Sequence, residues 1–545
     1  MAFRRGLAPI LIALVVALVY WPGLGGFWTR DDYMQLAFAR LVGSPWPVFA
    51  HDHYFPVPGS IFRPLGFASF WLSQALFGMD YFRNALGDLV LHVAVTLALY
   101  RVIRAVAVER LPASLCTLLF AVHPAVLGTA LWWSARFDLL AMLFGLVAVR
   151  AALDHAARPR AGSLLVALVA VLAALLSKET ALAAAAAIGL VWLRGARVDR
   201  SQLRALIALV AVVALFFAWR TAVLGTVTTG LAGDASIAAA FARGFTRWFS
   251  HLPGYLTFWP RTSMAIGIFI FGYAFIELAD AWIARRAHSS ARPALADLLI
   301  AGACLFVVPA VVQAPIAAMN AMPLGADASA VETAMQSRLY YVSIGGLAMV
   351  FAAGLGRLWT SGRIARAVLV GGPAVCVAAF AWASHDLAVQ FAQTTAASRP
   401  LAEEIAAAVE RAAPMNGGRC RIVVLGVAPP PEWSIYVSID SVAKALATDV
   451  DRVGRCFVEA DYVTYFNLVR GDANPADAMP YTPRSASGRP IPWLRIGAMT
   501  SAYLDPPATT DATTLAGIVF LRFENGAFVD VTDDVASGRI PVALR

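Results

Sequence analysis

The chain has 545 residues, of which 60% are hydrophobic and only 14% charged, with a formal net charge of +9. Soluble domains run near half apolar and a quarter charged, so this composition excludes a single soluble core and predicts a polytopic membrane protein. The positive charge sits in Arg-rich short loops, as the positive-inside rule expects, and no soluble basic face points to nucleic acid.

Residues 1–5 are short and basic, and 6–22 are apolar with Tyr20-Trp21 at the far end. No small-residue cleavage pattern follows, so this reads as an uncleaved first helix with a cytoplasmic N-terminus. Residues 23–63 form a polar, Pro- and aromatic-rich outer loop that carries Asp31, Asp32, His51, Asp52, His53 and Arg63. Residues 64–78 are apolar but shorter than the about 20 residues a spanning helix needs, and read as re-entrant or interfacial. Further spans are expected at 84–107, 111–132, 137–153, 162–177, 180–193, 205–223, 263–284, 295–313, 339–356 and 367–385. That makes about eleven with the first. Every loop this threading assigns to the cytoplasm is short and Arg-rich, and the candidate chemistry falls on the opposite face.

Residues 1–385 are therefore expected to form the transmembrane domain. Residues 386–545 differ, with shorter apolar runs and acids that balance the bases. The pattern predicts an amphipathic helix over 400–413, a buried strand over 421–427, and short strands near 435–439, 455–464 and 517–529. The fold class is mainly α: a membrane helix bundle followed by one extracytoplasmic α/β domain. Cys116, Cys304 and Cys376 lie in apolar runs, whereas Cys420 and Cys456 lie in the tail and can pair if it faces an oxidising compartment.

Asp31-Asp32 is the leading candidate for chemistry. As an ordinary feature it is an acidic helix start favoured by the helix dipole. As a functional one, a desolvated carboxylate at a membrane surface serves as a general base, and two adjacent carboxylates offer oxygen ligands to Mg²⁺ or Mn²⁺. His51 and His53 with Asp52 are a weaker metal candidate. Arg63, Arg136, Lys178, Arg261 and Arg338 share the outer face. Some snorkel, but outer arginines run against the charge rule, and their forks match phosphate oxygens. Arg136 with Asp138 and Lys178 with Glu179 are mixed-charge clusters at helix turns, read either as local ion pairs or as part of a substrate-binding face. His123-Pro124 is an intramembrane pair, either functional or a local partner for backbone freed by the proline. No GxGxxG, P-loop, G-x-S-x-G or HExxH pattern occurs, so nucleotide-driven chemistry has no support.

Several motifs line up in order: Phe62-Arg63-Pro64-Leu65, Asn84 and His92, Phe120-Ala121-Val122-His123-Pro124, Ser134-Ala135-Arg136-Phe137-Asp138-Leu139-Leu140-Ala141, Ser177-Lys178-Glu179 and Ser337-Arg338-Leu339-Tyr340-Tyr341. Behind an acidic pair after the first helix, this set resembles the GT-C superfamily of membrane glycosyltransferases. Within it, the set is similar to the protein O-mannosyltransferase branch, especially the tetratricopeptide-containing enzymes and their bacterial relatives. The resemblance covers residues 1–385 and implies a GT-C helix bundle, a polyprenyl-phosphate sugar donor and inversion at the anomeric centre. It implies that Asp31 or Asp32 deprotonates the acceptor hydroxyl, and that Arg136, Lys178 and Arg338 contact the lipid phosphate. The chain departs from the pattern at Gly128, where relatives often carry an acid, and in lacking tetratricopeptide repeats. The acceptor, whether protein, lipid or glycan, stays open. The expected setting is a bacterial inner membrane with the C-terminal domain in the periplasm. The alternatives are a transporter or flippase of lipid-linked glycans, with midplane charges and related halves, and a non-catalytic envelope assembly protein.

Overall fold

The computed structural model describes residues 2–41, 43–50, 61–194, 200–225, parts of 242–248, 293–319, 329–361, 366–415, 420–425, 439–454, 456–460 and 518–540. In chain order the helices are α1 (Ala2–Tyr20), α2 (Asp32–Leu41), α3 (Pro64–Phe77), α4 (Tyr81–Ala105), α5 (Arg110–Ala121), α6 (Leu127–Leu131), α7 (Arg136–Ala157), α8 (Ala161–Ser177) and α9 (Leu182–Leu193). They continue as α10 (Arg200–Leu224), α11 (Pro293–Met319), α12 (Ala330–Gln336), α13 (Tyr341–Ser361), α14 (Arg366–Ala397), α15 (Arg399–Ala412), α16 (Ile439–Leu446), α17 (Val450–Val453) and α18 (Thr532–Ala536). The strands are β1 (Cys420–Leu425), β2 (Cys456–Ala460), β3 (Ile518–Glu524) and β4 (Ala527–Asp530).

Among the described residues, six helical stretches are long and apolar enough to cross a membrane, and the bent pair α5–α6 makes a seventh. Their outward faces are apolar too. α1 exposes Leu7, Ile10, Leu11, Leu14 and Leu18 while burying Ile12, Val16, Val19 and Tyr20. In water such a stripe would cost about 25 cal/mol per Å²; against lipid it costs nothing comparable. The chain is a multi-pass membrane protein. α8 and α9, with 17 and 12 residues, are shorter than a full span, and the expected span over 263–284 lies outside the described residues.

The chain divides into two compact units, and each is described by itself. The first takes in residues 1–24, 85–221 and 235–391. In it α7 packs on α8 and α9, α9 on α11, and α11 on α13. The last pair approaches through glycines: a Cβ on Gly346 would stand 2.5 Å from the Gly302 carbonyl oxygen. The single span expected over 111–132 is instead broken after Val122 and bent by 57°, because Pro124 has no N–H to continue the ladder. Bilayer interiors require that the freed carbonyls find partners, and here they do. Ala121 accepts from the Tyr20 hydroxyl and from His92 Nε2, each at 3.0 Å. Val122 accepts from Ser384 Oγ at 2.8 Å and Ala125 from Ser337 Oγ at 2.7 Å.

The second unit takes in residues 25–84, 222–234 and 392–545. Its sheet has the order β2-β1-β3-β4, with β1 parallel to both neighbours and β4 antiparallel to β3. α16 and α17 lie in the β1–β2 crossover, as a parallel connection requires. The strand expected over 517–529 is two strands, since Asn525 and Gly526 both take positive φ (51° and 86°) and form a hairpin turn. Val423, Ile518, Phe520, Val531 and Val535 form its core. Cys456 is disulfide-bonded, and Cys420 stands opposite it in the β1–β2 register. The strand expected near 435–439 lies almost wholly outside the described residues.

Candidate active-site residues in the two units

In the second unit the acidic turn opens on Trp28. Its ring is wholly buried and meets Tyr81 edge-on at 5.1 Å. The chain then reverses through Arg30, whose φ of +54° lies in the left-handed region. For a residue with a Cβ this costs roughly 1–2 kcal/mol, and strain of this kind persists where surrounding contacts over-determine it. The Asp32 N–H donates to the Thr29 carbonyl at 3.0 Å, and the Thr29 N–H donates back to Asp32 Oδ2 at 3.0 Å. The Tyr33 hydroxyl donates to the Trp28 carbonyl at 2.9 Å. Burial, with a smaller contribution from the Asp32 charge, holds the Tyr33 phenol well above its ordinary range, so it stays a donor.

The two aspartates are therefore not equivalent. Asp32 is 1% exposed and its carboxylate closes the turn, as a reciprocal cap does. Asp31 is only half-buried and is the more accessible of the two carboxylates. Arg63 is the N-cap of α3, which packs on α2 with Phe67 edge-on to Phe38 at 5.7 Å. His51, Asp52 and His53, and also Arg261, lie outside the described residues.

In the first unit the charged residues gather around the N-terminus of α7. Arg136 and Asp138 are its first and third residues, 3% and 2% exposed. Arg136 and Asp138 each carry an ion pair to a different element. Arg136 Nε donates to Asp88 Oδ1 of α4 at 2.5 Å. Lys178 Nζ donates to both oxygens of Asp138 at 2.7 Å. The reason is direction: one turn into a helix, side chains two residues apart point away from each other, so each charge meets a different neighbour. Lys178 follows the end of α8 in extended backbone, and the neighbouring Glu179 starts a short 3-10 turn. Asp88 is wholly buried, and among the described residues its Oδ2 has no hydrogen-bond partner.

Two consecutive tryptophans complete this set. The Arg136 guanidinium lies 5.1 Å from the Trp133 ring centroid and that of Arg338 lies 3.8 Å from the Trp132 ring. Stacked, planar guanidiniums are pre-organised for oxyanion recognition. Arg338 arrives because the 3-10 turns Ser337–Tyr340 and Pro124–Val126 pack together. Gly128 explains the departure from the resembled pattern. A Cβ there would stand 2.7–2.8 Å from the backbone of Ala334 and Met335, so no acid fits.

Asp88 was not singled out from the sequence, although an acid inside an apolar span is a signal in itself. His123 has a local role: its Nδ1 accepts the Ala125 N–H at 3.1 Å. His92 is bonded at both nitrogens, to the Tyr341 hydroxyl at 2.8 Å and to Ala121. Among the described residues no group of three or more His, Cys, Asp or Glu side chains stands together.

No protein-family model and no curated protein matches the chain. Solved structures similar to it include the Archaeoglobus fulgidus oligosaccharyltransferase complex with Zn and sulfate, at 13% identity and a TM-score of 0.48, over 86% of this chain and 70% of that one. AglB from the same organism, in complex with an inhibitory peptide and a dolichol-phosphate, gives 12% identity and a TM-score of 0.46 over 90% and 77%. ArnT from Cupriavidus metallidurans, bound to undecaprenyl phosphate, gives 14% and 0.45 over 92% and 100%.

Proposed function

We propose that the chain is a membrane glycosyltransferase of the GT-C type that moves a sugar from a polyprenyl phosphate to an extracytoplasmic acceptor, with inversion. The carrying observation is the cationic set in the first unit: Arg136 and Arg338 on the Trp132–Trp133 step, with Lys178 on the next element. Such a set, among apolar helices and without a nucleotide motif, suits a phosphate attached to lipid. Asp31 takes the proton of the acceptor hydroxyl, the oxygen attacks the anomeric carbon, and the carbon–phosphate-oxygen bond breaks. Arg136, Lys178 and Arg338 hold the departing lipid phosphate as its charge grows. Arg63 and Glu179 contribute to substrate binding, and Asp138 sets Lys178.

The same reading places the N-terminus in the cytoplasm, about eleven spans in a bacterial inner membrane and the C-terminal residues in the periplasm; the Arg-rich loops support that orientation. The order of motifs supports an O-mannosyltransferase-like enzyme, with protein, lipid or glycan as acceptor. One observation favours a flippase of lipid-linked glycans instead: the broken α5–α6 span, since broken helices mark many transporters. A single experiment separates the two. Purified protein in liposomes receives a polyprenyl-phosphate sugar, with acceptor on the outside. The enzyme reading predicts a new glycoside and free polyprenyl phosphate. Movement of intact donor between leaflets with no cleavage would replace it with the flippase.

A further inference from the structure

The C-terminal residues are built onto the acidic segment from both ends. At its start, the Phe27 N–H donates to Thr395 Oγ1 at 3.1 Å, and the Arg399 guanidinium lies 5.2 Å over the Phe27 ring. At its end, Arg40 Nη1 donates to the carbonyls of Ala445 at 2.6 Å and Lys444 at 3.5 Å, the last turn of α16. The last carbonyls of a helix lack intrahelical donors and carry partial negative charge, so a guanidinium there closes the helix and ties it down. Beside this, Gly454 lies tight against α2 and its own turn: a Cβ would stand 2.7 Å from Leu41 Cδ2 and 2.8 Å from the Val450 carbonyl oxygen.

The far side of the contact is rigid. Lys444 is wholly buried in α16. α15 holds the turn after α16 through Glu410, whose carboxylate accepts the Thr448 and Asp449 N–H groups at 2.8 and 2.9 Å. Arg452 of α17 donates to the Ala413 carbonyl. Residues 32–39 of α2 are all buried, between α3 on one side and α16 on the other. α2 is thus fixed by chain some 400 positions away, and Asp31 immediately precedes its first residue, Asp32.

We propose that Arg40 is a positioning residue: by closing the C-terminal end of α16 it fixes α2, and so sets the Asp31 carboxylate in place. The C-terminal α/β residues are then a working part of the site rather than an acceptor-handling appendage. This rests on the reading of Asp31 as the base.

The test uses the full chain in lipid nanodiscs: native, Arg40→Ala, Arg40→Lys, Gly454→Leu, and Arg411→Ala as a control in an exposed ion pair. Hydrogen exchange of amides 32–41 and transfer kinetics are both measured. The expected result for Arg40→Ala is faster exchange confined to α2 and its neighbours and a fall in kcat of about a hundredfold, with donor KM within about twofold. Lysine at position 40 reaches the same carbonyls and restores part of both. Gly454→Leu reproduces the defect without touching a charge. Exchange and kcat in Arg40→Ala like those of the native chain would overturn the proposal, as would faster exchange with kcat unchanged. If Arg40→Ala does not fold, Arg40→Lys and Gly454→Leu decide by the same two readouts. If the native chain transfers no sugar, the enzyme reading fails by itself, and exchange at 32–41 still decides whether Arg40 holds α2.

Discussion

Removing Lys178 should unfold more than it disarms, and only a double substitution separates the two effects. Lys178 Nζ bonds both oxygens of Asp138 at 2.7 Å, and the two side chains are 7% and 3% exposed. In Lys178→Met the Asp138 carboxylate stays buried without that partner. Breaking a buried pair from one side costs about 3–5 kcal/mol. Asp138 sits in the first turn of α7, where the helix dipole offsets about 1 kcal/mol at most. The single variant should therefore lose about 2–4 kcal/mol, a large share of a typical 5–15 kcal/mol stability. Lys178→Met with Asp138→Asn removes both charges, and replacing a buried pair outright is often neutral, so it should fall within about 1 kcal/mol of native. The second substitution should then restore most of the stability that Lys178→Met loses. Unfolding in nanodiscs, followed by circular dichroism, measures it. Transfer should stay low in the double variant, down about a hundredfold as when one charge-stabilising donor is lost. A double variant no more stable than the single would refute the pairing argument. One that is stable and fully active would refute the role of Lys178 at the phosphate.

Other consequences follow from particular contacts. Asp32→Asn weakens the reciprocal bond to Thr29 and should cost about 1 kcal/mol of stability, seen as a lower unfolding midpoint; no change would remove Asp32 from the turn. Gly346→Leu forces a side chain onto the Gly302 carbonyl, 2.5 Å from the first added atom. It should destabilise by at least about 1–3 kcal/mol, read as loss of monodisperse protein on mild heating. Cys456 should react with a thiol reagent only after reduction, while Cys116 and Cys304 stay protected by burial; reaction of Cys456 before reduction would count against an oxidising compartment for the tail.

The helices were legible because apolar runs of near-spanning length leave few other folds. The break at Val122 was signalled by Pro124, yet the run reads as one span because its composition does not change there. The ion-pair partners were not legible. Arg136 and Asp138 are neighbours in sequence, and only the tertiary structure brings Asp88 of α4 to Arg136. The difference between Asp31 and Asp32 lies in backbone geometry at Arg30, which residue types do not announce. The tie between Arg40 and Ala445 joins positions 405 apart, and no local pattern encodes it.

The most direct measurement is sugar transfer from a series of polyprenyl-phosphate sugars by the purified chain in lipid, beside Asp31→Asn, with donor binding measured on both. Asp31→Asn is expected to bind donor as the native chain does and keep its fold, yet transfer at least about a hundredfold more slowly. Transfer by Asp31→Asn at the native rate would contradict the assignment of Asp31 as the base and move the base elsewhere.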